Sequence, residues 1–230
     1  MKRVVITGAS FVSPIGNDWP TVEARLRAKK SGIVRMADWD RYEKLNTRLA
    51  APADWTDPEY PRKKIRGMGR VAYMAVNTAD LAFRDAGLAD SPELTDGSTG
   101  VSYGSSSGNV DAMMDFFSMV VHNDMANINA TTYIRSMPQT CAVNIGVFFG
   151  LKGRLFTTNT ACTAGSLSIG LGYEAIMNGT QTNMLCGGAE ELNATHAAVF
   201  DTLFATSTKN DTPERTPRAY DKDRDGLVVG

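Results

Sequence analysis

Three cysteines, two histidines and five cations packed into nine residues are the groups in this 230-residue chain whose types and spacing could do chemistry. Cys162 has the most suggestive setting. A short β-branched and apolar run from Arg154 to Thr158 leads into Thr160-Ala161-Cys162-Thr163-Ala164-Gly165-Ser166, and a helix-like segment follows to about Met177. That order places the thiol on a strand-to-helix turn. Orphan backbone N–H groups and the positive end of the helix dipole favour a thiolate there. Ala161, Ala164 and Gly165 leave room for a bulky acyl group beside the sulfur. Two readings stand at this level: a nucleophile that becomes acylated, or a cysteine serving as a small hydrophobe. Cys141 and Cys186, inside the apolar runs Cys141-Ala142-Val143 and Met184-Leu185-Cys186, fit the second.

The basic run Arg62-Lys63-Lys64-Ile65-Arg66-Gly67-Met68-Gly69-Arg70 lies just before or at the start of a helix. Cations there oppose the helix dipole, so helix stability does not explain them. They form either a solvated turn or a docking surface for an acidic partner. His122 and His196 fall in polar loop or helix-start contexts without a partner that would make either a base.

Alternating strand-like and helix-like segments predict an α/β domain that positions these groups. Strands are expected at residues 3–7, 99–103, 154–158 and 183–187. Helices are expected at residues 19–29, 68–86, 110–121, 136–149 and 194–203, with Ser136 as an N-cap and Gly87 at a C′ position. Residues 37–61, carrying Pro52, Pro58 and Pro61, have no clean period and read as an irregular excursion. Met68, Val71, Ala72, Ala75, Ala79, Ala82, Phe83 and Ala86 recur at helical spacing. Gly165, Ser168, Ile169, Gly172 and Ala175 form a small or apolar stripe suited to close burial on several sides of the Cys162 helix.

Composition narrows the function classes. With 43% hydrophobic residues the chain can bury a sizeable core and suits one large domain spanning 1–230. No stretch approaches the ~20 apolar residues of a membrane span, and the opening residues read as a strand rather than a signal peptide. Three cysteines at irregular spacing argue against a disulfide framework and for a reducing cytoplasm. No metal-ligand spacing is present, and a formal net charge of -1 gives no global pull toward nucleic acid. Val4-Val5-Ile6-Thr7-Gly8-Ala9-Ser10 opens like a dinucleotide fingerprint, but Val12 and Pro14 stand where close backbone approach is needed. The ending Leu227-Val228-Val229-Gly230 reads as mid-strand, so the sequence looks truncated; a chain lacking its second half would expose strand edges and associate.

Several stretches together resemble the elongating β-ketoacyl-[acyl carrier protein] synthases, condensing enzymes of the thiolase superfamily. They are Val4–Gly8 with Ser13-Pro14-Ile15-Gly16; Tyr103-Gly104-Ser105 with Gly108; Thr160–Gly165; Gly187-Gly188-Ala189-Glu190-Glu191; and Ser207-Thr208-Lys209-Asn210-Asp211 with Tyr220-Asp221 and Arg224-Asp225-Gly226. The resemblance implies a thiolase-like layered αβαβα fold, of which this chain covers the N-terminal half plus the start of the C-terminal half. It implies Cys162 as acylated nucleophile and oxyanion N–H donor, Phe200 lining the acyl pocket, and Ser107 where many members place a larger apolar residue. That departure suggests a longer or more polar acyl chain. Lys63, Lys64 and Arg66 fall in the family's segment for docking acyl carrier protein. The implied reaction is acyl transfer to Cys162, then decarboxylative condensation with malonyl carrier protein. It needs no cofactor beyond the carrier's phosphopantetheine. The family's two malonyl-activating histidines and lysine belong to the second half. Pairing as a homodimer, or a heterodimer with a related subunit, is also implied. Within the family, Met68–Val71, Val147–Gly150 and Val199–Phe204 look most like synthases of aryl-polyene pigments. The rival within the fold is a non-catalytic partner subunit like a chain-length factor, which generally lacks the nucleophile.

Overall fold

A computed structural model describes residues 2–230. In chain order they form α1 (Trp19–Arg27), β1 (Val34–Arg35), β2 (Leu49–Ala50), α2 (Arg62–Ile65), α3 (Arg70–Asp85), β3 (Thr99–Gly104), α4 (Val110–His122), α5 (Thr132–Ser136), α6 (Thr140–Phe149), β4 (Leu155–Thr157), α7 (Ala164–Met177), β5 (Asn183–Gly188) and α8 (Ala194–Asp201). Single 3-10 turns punctuate the connections. Two compact units result. The first joins residues 2–10 to Asp57–Glu191; the second joins Phe11–Thr56 to Leu192–Gly230.

The first unit is built around a parallel sheet in the order β4-β3-β5. All six residues of β3 are buried, as a central parallel strand covered on both faces requires. On one face Val101 and Tyr103 pack into a core with Val76, Ala79 and Phe83 of α3 and Cys141 and Ile145 of α6. On the other face α7 approaches so closely that a Cβ on Gly172 would lie 2.2 Å from the sulfur of Cys186 in β5. The helical period of α3 is borne out: Val71, Ala72, Ala75, Ala79 and Phe83 are buried, joined by Val76. Gly87 takes the expected left-handed C′ conformation at φ +69°.

Three expectations in this unit need correction. Residues 3–7 form no strand: Val5 is 60% and Ile6 90% exposed, and no ladder partner lies beside them among the described residues. A β-branched run favours extended backbone, but a strand also needs a neighbour to complete its hydrogen bonds. The segment is tied instead to α3, through Ala9 N–H to Asp85 Oδ2 at 2.9 Å and Ser10 Oγ to the Thr78 carbonyl at 2.5 Å. Gly8 is a packing glycine, since a Cβ there would lie 2.6 Å from the Ala82 carbonyl. Ser136 is not an N-cap but the last residue of α5. Pro138 disfavours helical geometry in the residue before it, and Met137 is accordingly extended at ψ 123°, which splits the expected helix in two. The small-residue stripe of α7 is buried at Ser168, Gly172 and Ala175, whereas Ile169 is 62% exposed and Gly165 faces open space. Among the described residues, only one side of that helix is covered.

The second unit has little regular structure. A two-residue antiparallel pairing, Val34↔Ala50 and Arg35↔Leu49, joins residues just before the 37–61 stretch expected to be irregular to residues within it. Trp39, Leu45, Ala50, Ala194 and Ala197 form its core. The closing residues pair only through single bridges, Ala50↔Val229 and Thr206↔Leu227. The helix expected over residues 194–203 ends at Asp201, and Phe204 beyond it lies in the left-handed region at φ +54°.

Candidate active site

The turn that carries Cys162 is set by the sheet beneath it. Thr158, just past β4, is held by its N–H to the Tyr103 carbonyl at 3.2 Å and by a buried contact of its hydroxyl with Ser168 Oγ of α7 at 2.6 Å. Gly104 permits this approach: a Cβ there would sit 2.2 Å from the Thr158 carbonyl and 2.8 Å from Ala164 Cβ. The chain then reverses through Ala161, whose φ of +50° is uncommon for a residue with a side chain. A 3-10 turn, Ala161–Thr163, delivers Cys162 to the N-terminal end of α7. Thr163 N–H and Oγ both donate to the Thr160 carbonyl, at 3.2 and 2.9 Å, and fix that turn. The expected strand-turn-helix placement is thus present.

The three cysteines differ sharply in access. Cys162 is exposed, with exposed Ala161 and Thr163 on either side. Cys141 is buried against the sheet, and burial pushes its thiol up to about 12. Burial also raises Cys186 to about 11. Both therefore stay protonated near neutral pH and behave as the small hydrophobes expected of them.

Ser107 lies half-buried on the loop after β3, its N–H 3.4 Å from Glu190 Oε1. Phe200 is half-buried on α8 in the second unit. Lys63, Lys64 and Arg66 are exposed on and just after α2. The cations thus build a short helix of their own, ahead of α3. Lys64 lies 4.7 Å over the Phe148 ring, which fixes its stem, while Lys63 and Arg66 have no ion pair among the described residues. His122 ends α4 in exposed surroundings, and His196 stands in α8 with its Nε2 buried and unpartnered.

Sequence reasoning did not assign roles to Glu190 and Glu191. Glu190 accepts hydrogen bonds from Ser106 N–H at 2.7 Å, Ser105 Oγ at 3.3 Å and Ser107 N–H. Glu191 accepts from Val110 N–H at 2.6 Å and Asn109 Nδ2 at 3.1 Å, at the first turn of α4. The available signal was two consecutive acids one residue after the glycine pair that ends a strand-like segment. Charge at such a place needs donors, and the loops at the carboxyl ends of the neighbouring strands are the nearest source.

The β-ketoacyl synthase N-terminal domain model matches residues 1–230, the whole of the sequence. The chain belongs to this family. A β-ketoacyl synthase from Burkholderia phymatum is 50% identical and superposes over the whole chain with a TM-score of 0.97, covering 57% of that structure. The ishigamide ketosynthase/chain length factor covers 98% of this chain at 25% identity and a TM-score of 0.78. Among curated relatives, 3-oxoacyl-[acyl-carrier-protein] synthase 1 of Haemophilus influenzae is 32% identical over 232 residues. The mitochondrial 3-oxoacyl-[acyl-carrier-protein] synthase described as putative in Schizosaccharomyces pombe is 30% identical over 240. The chain spans little more than half of these relatives, 57% and 56% of their lengths. The fold is therefore the N-terminal half of the α/β, thiolase-like ketosynthase fold. Among the described residues no helix is long and apolar enough to cross a membrane.

Proposed function

We propose that Cys162 is the nucleophile of a β-ketoacyl-[acyl carrier protein] synthase. The observation that carries this reading is the exposure of Cys162 on a tight turn at the start of α7, in a chain whose other cysteines have thiols raised by burial. Its thiolate attacks the carbonyl of an acyl group borne on carrier phosphopantetheine. The tetrahedral oxyanion is met by the Cys162 backbone N–H, and the pantetheine thiolate leaves. In the second step malonyl carrier protein loses carbon dioxide. The resulting carbanion attacks the Cys162 thioester, forms the new carbon–carbon bond and releases the cysteine thiolate. Groups that assist decarboxylation lie, by family resemblance, in the half beyond this chain.

Phe200 and Ser107 are assigned to the acyl pocket. Lys63, Lys64 and Arg66 are assigned to docking of the acidic carrier, whose attraction weakens with salt. A second subunit, identical or related, completes the proposed assembly. Fatty-acyl and aryl-polyenyl chains are the two substrate classes to compare, the second on the resemblance at Met68–Val71 and Val199–Phe204.

Intact-mass measurement after incubation with acyl-loaded carrier protein tests the reading. An acyl-sized gain, absent in Cys162→Ala and reduced in high salt, is the expected outcome. A folded protein that gains no mass would instead be a non-catalytic partner subunit.

A further inference from the structure

Glu190 and Glu191 follow one another where the chain leaves β5, yet they grip different parts of one loop. Glu190 takes Ser105, Ser106 and Ser107, and Glu191 takes Asn109 and the first N–H of α4. A third loop amide, Gly108 N–H, donates to Ser105 Oγ at 3.3 Å, so it too is tied to the Glu190 cluster. The loop is also closely packed against its neighbours. A Cβ on Gly108, at φ +68°, would lie 2.5 Å from the Ser136 carbonyl. A Cβ on Gly69 would likewise lie 2.5 Å from Asn109 Cβ. The loop is therefore held both by close packing and by the two carboxylates.

The two charges differ in what they hold. Glu191 is buried and faces the N-terminus of α4, where a carboxylate is favoured by the helix dipole as well as by its hydrogen bonds. Asn109 Oδ1 caps the same end by accepting from Ala112 N–H at 3.0 Å, so that end has two anchors. Residues 106 and 107 have no such reserve. Their amides rely on Glu190 alone among the described residues.

We propose that Glu190 is a positioning residue: it fixes the backbone of Ser106 and Ser107, and so sets the place of the Ser107 side chain and the acyl chain the enzyme prefers. The preference rests on the reading of Ser107 as part of an acyl pocket; the clamp itself does not. The charge matters because hydrogen bonds to an ionised acceptor are roughly twice as strong as neutral ones. Glutamine at 190 keeps the shape, loses the charge and turns half of the acceptor into a donor facing other donors.

The test compares wild type with Glu190→Gln, Glu190→Asp and Ser107→Leu in the intact protein. Amide hydrogen exchange at residues 106 and 107 should quicken by about tenfold or more in Glu190→Gln, while exchange at residue 110 stays unchanged. The yields of Cys162 acylation by hexanoyl- and hexadecanoyl-loaded carrier should change in ratio by about threefold or more, in Glu190→Gln as in Ser107→Leu. Unchanged exchange at 106 and 107 would overturn the clamp. Quickened exchange with an unchanged acyl ratio would overturn its role in substrate choice and leave Glu190 purely structural. If wild type takes no acyl group, the proposed function fails and so does the substrate role, while the exchange result still decides the clamp. Should Glu190→Gln not fold, Glu190→Asp carries the same test, because its shorter side chain draws the carboxylate away from the two amides.

Discussion

The two units of this chain are held together by different physics. The first is organised by apolar burial: β3 is buried along its whole length, and Val76, Val101, Ala142 and Ile145 are 0–1% exposed. The second has only one two-residue strand pair and relies on carboxylates to hold irregular backbone. Asp201 accepts from Asn46 N–H at 2.8 Å, Asn46 Nδ2 at 3.0 Å, Thr47 N–H at 3.1 Å and Thr206 Oγ1 at 2.6 Å. Asp225 accepts from Ser207 and Thr216 hydroxyls and pairs with Lys209 at 3.3 Å. Where a sheet supplies no partners, a buried acid collects the donors that loops leave unsatisfied. The sheet core of the first unit should therefore respond to lost volume and the irregular backbone of the second to lost charge. The Glu190–Glu191 loop of the first unit should respond to lost charge as well.

The largest effect expected is at Ile145, fully buried in the first unit. Ile145→Ala should cost about 2–5 kcal/mol in chemical denaturation, from lost transfer energy and the cavity left behind. That cost should be nearly the same at pH 4 and pH 7. A strong pH dependence would mean that the first unit is not organised by apolar burial alone.

Asp201 should give a smaller effect with the opposite signature. Burial raises its carboxyl, but hydrogen bonds from Thr206, Asn46 and Thr47 outweigh burial and hold it below the ordinary carboxylate value. A depressed carboxyl stabilises the fold above its unfolded pKa, and that contribution is lost as pH falls through its folded pKa. Asp201→Asn should cost about 1.5–3 kcal/mol at pH 7, the range for hydrogen bonds to a charged group. The cost should shrink progressively below about pH 4. Denaturation curves for variant and wild type that stay equally separated across that range would show that the charge is not what holds this backbone.

The smallest effect sharpens the contrast by its near absence. Glu23 and Arg27 pair at 2.6 Å across one turn of α1, with side chains 40% and 78% exposed. Replacing both with glutamine should change stability by less than about 0.5 kcal/mol, because solvent screens an exposed pair. A larger change would mean that charge placement, and not burial of charge, distinguishes the second unit.

Much of the first unit was legible in the sequence, for a specific reason. Its helices and strands follow apolar periods that local geometry imposes, so α3, β3, β5 and the turn at Cys162 fall close to their expected places. The second unit was not legible beyond α1 and α8. The positions of Asp201 and Asp225 depend on partners up to 155 residues away, and no local period encodes such contacts.

By itself the sequence determined the family, the α/β order and the candidate nucleophile, because these rest on motifs and on periodicity carried by neighbouring residues. Only the tertiary structure decided the rest. It left residues 3–7 without a ladder among the described residues, covered one face of α7 and turned Glu190 and Glu191 onto the loop after β3. The physical reason is common to these three, whereas the break of the expected 136–149 helix is local and follows from Pro138 itself. Backbone preference is local, but whether a polar group or an apolar face finds a partner depends on which distant segments fold against it.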